Sequence, residues 1–306
     1  MKVLITGGAG YVGTALVKAL CESPEITNVC VYDNLSRGNY NICLGDKIPN
    51  GHKIEFINGD ILDSRLLKKH IADKQVVYHL AAKVTTPFAN TDPHFYEQVN
   101  HWGTAEVVYA VEESDVEKFV YLSSTSVYGS SNSVVTEDSA LNPRTFYGIS
   151  KMRGEEHVAR LMDSRDTLIM RCGNVFGYSR SMRFDAVINK FVFDANFHNR
   201  VTINGNGKQS RSFIHVNTLK DTLKQLAVSK VPSGTYNLIC QNHNVLDLLD
   251  VMKDIKPNLE FIFVNQHLSL RNLVVEADLK LRSHILMTGC RSLKEELTDF
   301  MDKFAF

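Results

Sequence analysis

Apolar residues in the first half of the chain occur as short continuous runs separated by longer amphipathic stretches. The stretches 13–20 and 104–113 place their apolar residues at helical spacing, so they predict helices between the runs. Continuous apolar strands that alternate with helices are typical of a parallel sheet covered on both faces, the doubly wound arrangement. The strands predicted in this way are 3–5, 29–32, 54–57, 76–78, 119–122 and 168–170.

The pattern becomes less regular after about Gly177. Stretches rich in Phe and Asn follow, and the spacing over 244–253 predicts one further helix. The tripeptide Lys256-Pro257-Asn258 indicates a turn late in the chain. We therefore predict a doubly wound domain over 1–176 and a smaller C-terminal α/β lobe over 177–306, some segments of which return to the first domain.

The composition is that of an ordinary globular protein, with 44% hydrophobic and 22% charged residues among 306. Lysine plus arginine and aspartate plus glutamate are balanced at 34 each, which argues against nucleic acid or an anionic membrane as a partner. No apolar run reaches the roughly 18 residues that a membrane-spanning helix needs. The sequence begins with a predicted strand, MKVLITGG, so we expect no signal peptide before the fold.

The cysteines are scattered along the chain without a Cys-x-x-Cys pair. Zinc ligation and a disulfide framework are therefore not expected, and the thiols are predicted to be reduced and buried. We expect a cytoplasmic protein that binds no metal. The six cysteines are Cys21, Cys30, Cys43, Cys172, Cys240 and Cys290.

The first candidate for chemistry is a glycine-rich run at 6–13, TGGAGYVG, which follows a predicted strand and precedes a predicted helix. Gly7, Gly10 and Gly13 have the spacing G-x-x-G-x-x-G. Residues without a side chain let the backbone turn sharply and approach a pyrophosphate, whose charge then lies at the positive end of the helix. Glycine triplets are common in loops, but the strand–loop–helix context favours a dinucleotide site.

Asp33 ends the second predicted strand, shortly after this first helix. A carboxylate at this position can accept hydrogen bonds from the adenosine ribose and would repel a 2′-phosphate, which favours NAD over NADP. Two alternatives remain open. Asp33 and Asn34 could form only a turn, or Arg37 could accept a 2′-phosphate.

The third candidate is the run 147–151, YGISK. Residues four apart share one face of a helix, so Tyr147 and Lys151 point the same way. A phenol has an ordinary pKa of about 10, and a neighbouring ammonium with a positive nicotinamide ring would lower that pKa. A hydroxyl-rich run at 123–129 can hold a sugar oxygen while the tyrosine moves the proton. Each part alone also suits a solvated helix face or a capping loop, but the combination favours catalysis.

Together these motifs resemble the extended short-chain dehydrogenases/reductases, and within them the nucleotide-sugar epimerase/dehydratase family that includes the UDP-glucose 4-epimerases. The resemblance runs over nearly the whole chain. It implies an α/β fold with a Rossmann-type doubly wound parallel sheet and a smaller C-terminal substrate lobe. It also implies NAD as the cofactor, a nucleotide-sugar substrate, and a homodimer formed through the helices around 104–113 and 147–161.

The resemblance further implies roles for individual residues. The catalytic residues would be Ser124, Tyr147 and Lys151. Two convergent arginines in the substrate site suit a diphosphate, because guanidinium groups bind its oxygens bidentately. The residues around the cofactor would be Gly7, Gly10, Tyr11, Val12, Gly13, Asp33, Asn34, Asp60, Ile61, Leu80, Ala81, Ala82 and Asn100, with Tyr147 and Lys151. The substrate would be bound by Asn174, Asn189, Arg211 and Arg271, with Ser124 and Tyr147 at the reacting carbon.

The chain departs from the family where chemistry would change. Dehydratases and decarboxylases of the family place acidic residues after the catalytic hydroxyl, where this chain has Thr125 and Ser126. Eliminating water needs a general acid and a general base beside the 4-keto sugar, and neither residue serves well. Ser212 and Asn217 also differ from the residues usual in the family, which concerns loop packing.

We therefore expect an NAD-dependent epimerase that inverts C4 of a UDP-hexose through a transient 4-keto sugar. The nearest alternative is a nucleotide-sugar 4-ketoreductase, which shares the catalytic residues but releases its cofactor in each cycle. A 4,6-dehydratase is a weaker alternative. A non-catalytic NAD-binding sensor is the remote one, because the same fold serves many functions.

Overall fold

The computed structural model describes residues 1–84, 92–265, 270–277, 279–287 and 289–304. Within these ranges, no helix is both long enough and apolar enough to cross a membrane. The strands are β1 Lys2–Thr6, β2 Asn28–Asp33, β3 Ile54–Asn58, β4 Val76–His79, β5 Lys118–Ser124, β6 Asp166–Cys172, β7 Asn174–Phe176, β8 Arg200–Asn204, β9 Ser210–His215, β10 Gly234–Leu238, β11 Gln241–Asn244 and β12 Glu260–Val264. The α-helices are α1 Tyr11–Cys21, α2 Ser64–Ile71, α3 Pro93–Tyr96, α4 Gly103–Glu112, α5 Phe146–Ala159, α6 Val187–His198, α7 Val216–Val228, α8 Val245–Ile255, α9 Leu279–His284 and α10 Leu293–Met301. Short 3₁₀ helices cover Tyr40–Cys43, Gly51–Lys53, Thr125–Tyr128 and Arg160–Asp163, and a π-helical segment, Glu97–Trp102, precedes α4.

The main sheet has seven strands in the order β10-β6-β5-β4-β1-β2-β3. Every neighbouring pair is parallel. The six predicted strands are confirmed as β1 to β6, and the Rossmann-type doubly wound fold is confirmed with them. The chain moves outward in opposite directions from β1 and β4, so the crevice at their carboxyl ends is the position where such sheets bind ligands.

Two apolar layers cover the main sheet, as the continuous apolar strands predict. Along β1, Val3 and Ile5 point into one layer and Leu4 into the other. Helices α1 and α7 cover the first face, through residues such as Leu16 and Leu223. Helices α2, α4 and α5 cover the second face. Both faces of the central strands are therefore buried, which fixes the strand ends that carry the site.

A smaller α/β lobe follows β6. It contains a three-stranded sheet, β11-β9-β7, and a two-stranded parallel sheet, β12-β8. Helices α6, α8 and α10 enclose an apolar core that includes Phe191, Leu249 and Leu297. The predicted helix 244–253 is confirmed as α8. Segments between these elements return to the main sheet, where β10 pairs with β6 and α7 packs on α1. The boundary at residue 176 stays a prediction.

The prediction of reduced, buried cysteines is wrong for three of the six. Cys240 and Cys290 form a disulfide between the end of β10 and the segment before α10. These residues are 50 positions apart, and the fold brings their Cα atoms within 5.5 Å of each other. Cys43 is exposed, whereas Cys21, Cys30 and Cys172 are free and buried. The pairing escaped sequence reasoning because only the return of the chain to the main sheet brings the two thiols together.

Candidate active site

The glycine loop between β1 and α1 has no room for side chains at Gly7 and Gly13. Gly7 adopts a φ of +71°, and its N–H donates to the Tyr32 carbonyl at 2.9 Å. A Cβ at Gly7 would lie 2.6 Å from the Ala81 backbone nitrogen, and one at Gly13 would lie 2.3 Å from the Gly7 carbonyl oxygen. The loop is therefore closed by backbone packing that only glycine permits.

The start of α1 suits an anionic ligand. Gly10 occupies the position before the helix and offers no side-chain cap, and the first turn carries no acidic residue. The amides of the first turn, which begins with Tyr11 and Val12, therefore face a ligand position with the positive end of the helix dipole behind them. A glycine cradle and an uncapped helix fit the pyrophosphate of a dinucleotide.

Asp33 connects the end of β2 to this loop. Its two carboxylate oxygens accept hydrogen bonds from the Ala9 N–H at 3.0 Å and from the Leu35 N–H at 2.8 Å. Burial raises the pKa of Asp33, while these two backbone donors lower it. Each carboxylate oxygen can accept a second hydrogen bond. The predicted contact of Asp33 with the ribose is compatible with this geometry and stays a prediction.

The predicted adenine side has a polar rim and an apolar base. The exposed Asp60 carboxylate accepts from the Asn34 side chain at 2.8 Å and from the Leu62 N–H at 2.9 Å. Ile61 is buried, and its side chain lies where Gly103 of α4 leaves space. The contact of Ile61 with adenine therefore stays a prediction.

The segment after β4 lies against the glycine loop. Leu80, Ala81 and Ala82 are partly buried there. Asn100 is fully buried, and its side chain bonds both the N–H and the carbonyl of Lys83 and the Ser150 hydroxyl. Asn100 thus links the segment after β4 to α5 by hydrogen bonds, and these bonds fix the position of this part of the site.

The three predicted catalytic residues come from β5 and α5. Ser124 ends β5, where its hydroxyl accepts from the Ser126 N–H at 3.1 Å and caps the following turn. Thr145 caps α5 by accepting from the Gly148 N–H at 3.1 Å, which begins the helix just before Tyr147. The Ser124 hydroxyl lies close enough to the Tyr147 phenol to lower the pKa of the phenol. The structure therefore brings these two groups together as expected.

Lys151 is buried one turn after Tyr147. Its Nζ donates to the Leu122 carbonyl at 2.8 Å and lies 4.6 Å from the centre of the Tyr121 ring. Burial lowers the pKa of Lys151 to about 7, although the charge of Glu155 opposes that shift. The Lys151 side chain therefore ends against β5 of the main sheet.

The expected cause of an acidic Tyr147 needs a correction. Burial raises the pKa of Tyr147 above its ordinary value, and the nearby Ser124 hydroxyl with the charges of Arg183 and Arg271 offsets only part of that shift. The groups that lower this pKa in the described part of the chain thus come from the substrate side, and Lys151 is not one of them. The Lys151 amine bonds the Leu122 carbonyl of β5, and with a pKa of about 7 it is uncharged where the phenol titrates.

Arg211 and Arg271 converge as predicted. Burial lowers the pKa of Arg271 to about 10, and the nearby charge of Arg211 contributes to that shift. Burial also lowers the pKa of Arg211. Within the described ranges, neither guanidinium takes part in an ion pair, and the buried Nε of Arg271 has no hydrogen-bond partner. Two desolvated cations side by side indicate a place for an anion.

The two predicted asparagine contacts differ from each other. Asn174 donates to the Ser212 carbonyl at 3.0 Å and remains partly accessible. Asn189 is fully buried, and its amide donates to the Tyr11 hydroxyl and to the Arg183 carbonyl. Its carbonyl accepts from the Gly177 N–H. Both N–H donors of Asn189 are thus already used, so the structure gives Asn189 a positioning role where we expected a substrate contact.

Sequence reasoning missed Arg183 and Cys172. Arg183 acts electrostatically on Tyr147, and its guanidinium forms an ion pair with Asp185 at 2.6 Å. Cys172 ends β6 opposite Ser124, and burial raises the pKa of its thiol to about 12. No spacing rule marks either residue. For Arg183, the useful signal was an Arg-x-Asp pair in an otherwise irregular segment.

One group of metal-ligand residue types lies away from this site, at the β2–β3 edge of the main sheet. Ligand atoms of Cys30, Glu55 and His70 lie within 4.8 Å of one another. Burial raises the pKa of the Cys30 thiol to about 12, and the Glu55 charge adds to this. Metals bind the thiolate. The Cys30 thiol of the metal-free chain is therefore protonated at neutral pH.

Comparisons with known proteins show the family of the chain. The family model described as NAD dependent epimerase/dehydratase family matches residues 3–238. A putative UDP-glucose 4-epimerase of Methanocaldococcus jannaschii is 32% identical over 70% of this chain and 69% of its own length. The dTDP-D-glucose 4,6-dehydratase of Homo sapiens is 29% identical over 78% of this chain and 68% of its own. The UDP-glucuronic acid 4-epimerase of Bacillus cereus, solved with UDP-glucuronic acid and NAD, has a TM-score of 0.85 and 25% identity and covers 99% of this chain and 98% of its own. The chain therefore belongs to the NAD-dependent epimerase/dehydratase family of extended short-chain dehydrogenases/reductases, and its cofactor is NAD.

Proposed function

We propose that this chain is a nucleotide-sugar 4-epimerase that inverts C4 of a UDP-hexose through a transient 4-keto sugar. The observation that carries the proposal is the nearness of the Ser124 hydroxyl to the Tyr147 phenol in a site where two hydroxyl residues, Thr125 and Ser126, follow Ser124. Such a site can move one proton at one sugar oxygen. It has no carboxyl group at positions 125 and 126 to remove water from a neighbouring carbon.

Each residue has a defined task in this proposal. Arg211 and Arg271 bind the diphosphate, and the binding energy of the nucleotide positions the sugar over Tyr147. Bound NAD supplies the acceptor and donor of the C4 hydride. Tyr147 takes the proton of the 4-hydroxyl at its phenol oxygen and later returns it, while Ser124 hydrogen-bonds the same sugar oxygen. Lys151 holds the cofactor ribose.

The electrostatics of the site support this assignment. Because burial raises the pKa of Tyr147, the phenol needs positive charge nearby to act as a base at neutral pH. Arg183 and Arg271 lower this pKa in the chain itself. The positive ring of the oxidised cofactor would lower it further, so proton removal would be favoured only when the cofactor is ready to accept hydride.

We also propose the homodimer expected from the family, with α4 and α5 at the interface. These helices pack against each other. Trp102, directly before α4, and Tyr109 of α4 are exposed, at 56% and 36% of their surface. Exposed aromatic side chains of this size are typical of protein interfaces. Sedimentation of the purified chain tests the dimer, and Trp102→Glu should shift it to the monomer.

The experiment that tests the function is turnover of a UDP-hexose without added reductant. We expect the purified chain to form the C4 epimer, detected by nuclear magnetic resonance, and Tyr147→Phe to reduce the rate by at least about 100-fold. Tyr178→Phe is the matched control, because Tyr178 is half exposed. Consumption of one NADH per product would identify a 4-ketoreductase, and release of water would identify a dehydratase. Either result would contradict the proposal.

A further inference from the structure

Three side chains with metal-binding atoms meet at the β2–β3 edge of the main sheet, outside the candidate active site. They are Cys30 of β2, Glu55 of β3 and His70 of α2. Cys30 and Glu55 are register partners on parallel strands, so their side chains project from the same face of the sheet. Helix α2 covers that face. The three groups therefore come together between the sheet and the helix from three separate elements.

The spacing of these groups suits a single metal ion. The Cys30 sulfur, a Glu55 carboxylate oxygen and a His70 ring nitrogen all lie within 4.8 Å of one another. The centre of the group lies about 2.8 Å or less from each atom, whereas zinc bonds sulfur at about 2.3 Å and imidazole nitrogen or carboxylate oxygen at about 2.0 to 2.2 Å. Each ligand atom would therefore move by less than about 1 Å, which small changes of side-chain torsion angles supply.

The three groups are not bonded to one another, and they can be reached from solvent. His70 Nδ1 and Glu55 Oε1 are 4.0 Å apart, which is beyond hydrogen-bond range. Cys30 is fully buried, whereas the side chains of His70 and Glu55 are 15% and 43% exposed. The group thus extends from the apolar layer to the surface, which gives an ion a path of entry.

The charges of the group match a divalent cation. A thiolate and a carboxylate carry two negative charges, and the imidazole that binds a metal is neutral. Lys74 and Asp73, the other charged groups that act on the Cys30 thiol, form an ion pair with each other. A divalent cation would therefore leave no uncompensated charge beside the apolar layer. Thiolate and imidazole favour zinc over magnesium and calcium, which prefer oxygen ligands.

We propose that Cys30, Glu55 and His70 form a zinc site, in which water takes the fourth position on the solvent side. On binding, the Cys30 S–H bond breaks, a bond between Sγ and zinc forms, and the proton leaves to solvent. No electron is transferred. The ion links β2, β3 and α2, and the site is independent of the proposed 4-epimerase function. The cysteine spacing that argues against zinc misses this group, because its ligands come from separate elements.

The test uses cobalt as a coloured substitute for zinc, because a cobalt–thiolate bond absorbs in the near ultraviolet. The chain carries Cys43→Ser, which removes the exposed thiol, and is first dialysed against a chelator. No reductant is added, so that the Cys240–Cys290 disulfide stays closed. We expect about one equivalent of Co²⁺ to produce the absorption and about one equivalent of Zn²⁺ to remove it. Saturating Zn²⁺ should also raise the thermal unfolding midpoint by about 3 °C.

Variants of the three ligands identify the site. Cys30→Ser should abolish the cobalt–thiolate absorption and the thermal shift. His70→Gln and Glu55→Gln change partly exposed side chains, so they keep the fold, and each should weaken the affinity for Zn²⁺ by at least about 10-fold. His198→Gln is the matched control, because His198 also lies beside a carboxylate, that of Asp194, on a helix. This control should leave the affinity unchanged.

Three results would overturn the zinc site. One is that Co²⁺ produces no thiolate absorption in the Cys43→Ser chain. Another is that the absorption persists when Cys30→Ser is added, since a different thiol would then bind the ion. The third is that His70→Gln and Glu55→Gln both leave the affinity for Zn²⁺ unchanged, because the ion would then be held by other groups.

Discussion

The glycine loop and the arginine pair are two regions of one site, and they are built in opposite ways. In the loop, backbone groups already have partners, such as the Gly7 N–H on the Tyr32 carbonyl and the Ala9 N–H on Asp33. Around Arg211 and Arg271, charged groups are buried without an ion pair among the described residues. The glycine loop is therefore shaped by the chain itself and leaves the first amides of α1 for the pyrophosphate, whereas the buried charges of the substrate region are balanced only by an anion.

This difference predicts how substitutions in the two regions change ligand binding and the stability of the ligand-free protein. Steric packing of backbone atoms keeps the cofactor loop rigid, so substitutions there should damage both shape and binding. Desolvated charge in the substrate region lowers the stability of the empty protein and is offset when a ligand binds. Substitutions there should therefore lower binding and raise stability together. Four predictions test this contrast, from the largest expected effect to the smallest.

The largest effect should come from Gly13→Ala in the glycine loop. The added methyl group would lie 2.3 Å from the Gly7 carbonyl oxygen, so the loop must open. We expect NAD affinity to fall by about 1000-fold or more, which corresponds to about 4 kcal/mol. Titration calorimetry with NAD measures this. Gly51→Ala is the control, because its nearest neighbour would be 3.9 Å away. Unchanged NAD binding in Gly13→Ala would show that backbone packing does not determine the conformation of the glycine loop.

The second effect concerns the disulfide between the end of β10 and the segment before α10. Reduction of Cys240–Cys290, or Cys290→Ser, opens a loop of 50 residues, and we expect the free energy of unfolding to fall by about 3 kcal/mol. Denaturant titration with and without a thiol reductant measures this. Cys43→Ser should have little effect, because Cys43 is exposed and free. If reductant leaves the unfolding midpoint unchanged, the covalent link does not stabilise the fold.

The third effect is a pH dependence that arises from Lys151. Burial lowers the pKa of Lys151 to about 7 in the folded chain, while an unfolded lysine keeps a pKa of about 10.4. Between these values the unfolded chain binds a proton that the folded chain does not, so stability rises with pH. From about pH 7.5 to about pH 9, the stability of the cofactor-free wild type relative to Lys151→Met should rise by about 2 kcal/mol. If the difference in stability between wild type and Lys151→Met stays constant with pH, the pKa of Lys151 is not lowered in the folded chain.

The smallest effect, with the most informative sign, is expected for Arg271→Met. We expect the ligand-free protein to gain about 1 kcal/mol of stability, because a desolvated cation without an ion pair is removed. Affinity for UDP should fall by about 10- to 100-fold. Thermal unfolding and calorimetry measure the two changes. Arg200→Met is the control, because Arg200 is exposed and paired with Glu260. A loss of both stability and affinity would mean that Arg271 is structural.

Much of the main sheet was predictable because its strands are buried on both faces. Their apolar runs, such as 3–5 and 119–122, follow from that burial. Strand β10 has the mixed sequence GTYNL, and β11 has the polar sequence QNHN, so neither stands out in the chain. Both are fixed by pairing with distant partners, β6 and β9. The local sequence pattern therefore predicts the strands of the first half of the chain. The strands of the second half, including the one that returns to the main sheet, depend on tertiary contacts.

The candidate site divides in the same way. The i and i+4 spacing of Tyr147 and Lys151 correctly places both on α5. It could not show that the Lys151 ammonium bonds a β5 carbonyl, because that contact depends on how α5 packs on the sheet. The position of Arg183 depends on the buried Asn189, whose partners are distant in sequence or lie in an irregular loop. Spacing rules describe one element at a time, and these contacts join several.

The most direct test of reversible oxidation at C4 uses a UDP-hexose that carries deuterium at C4. The purified chain is incubated with it without added NADH, and the label is located by nuclear magnetic resonance. We predict a C4 epimer that keeps its deuterium at C4 and takes no hydrogen from solvent at C5, because the hydride leaves and returns inside one closed site. Solvent hydrogen at C4 or C5 of the product would contradict the account.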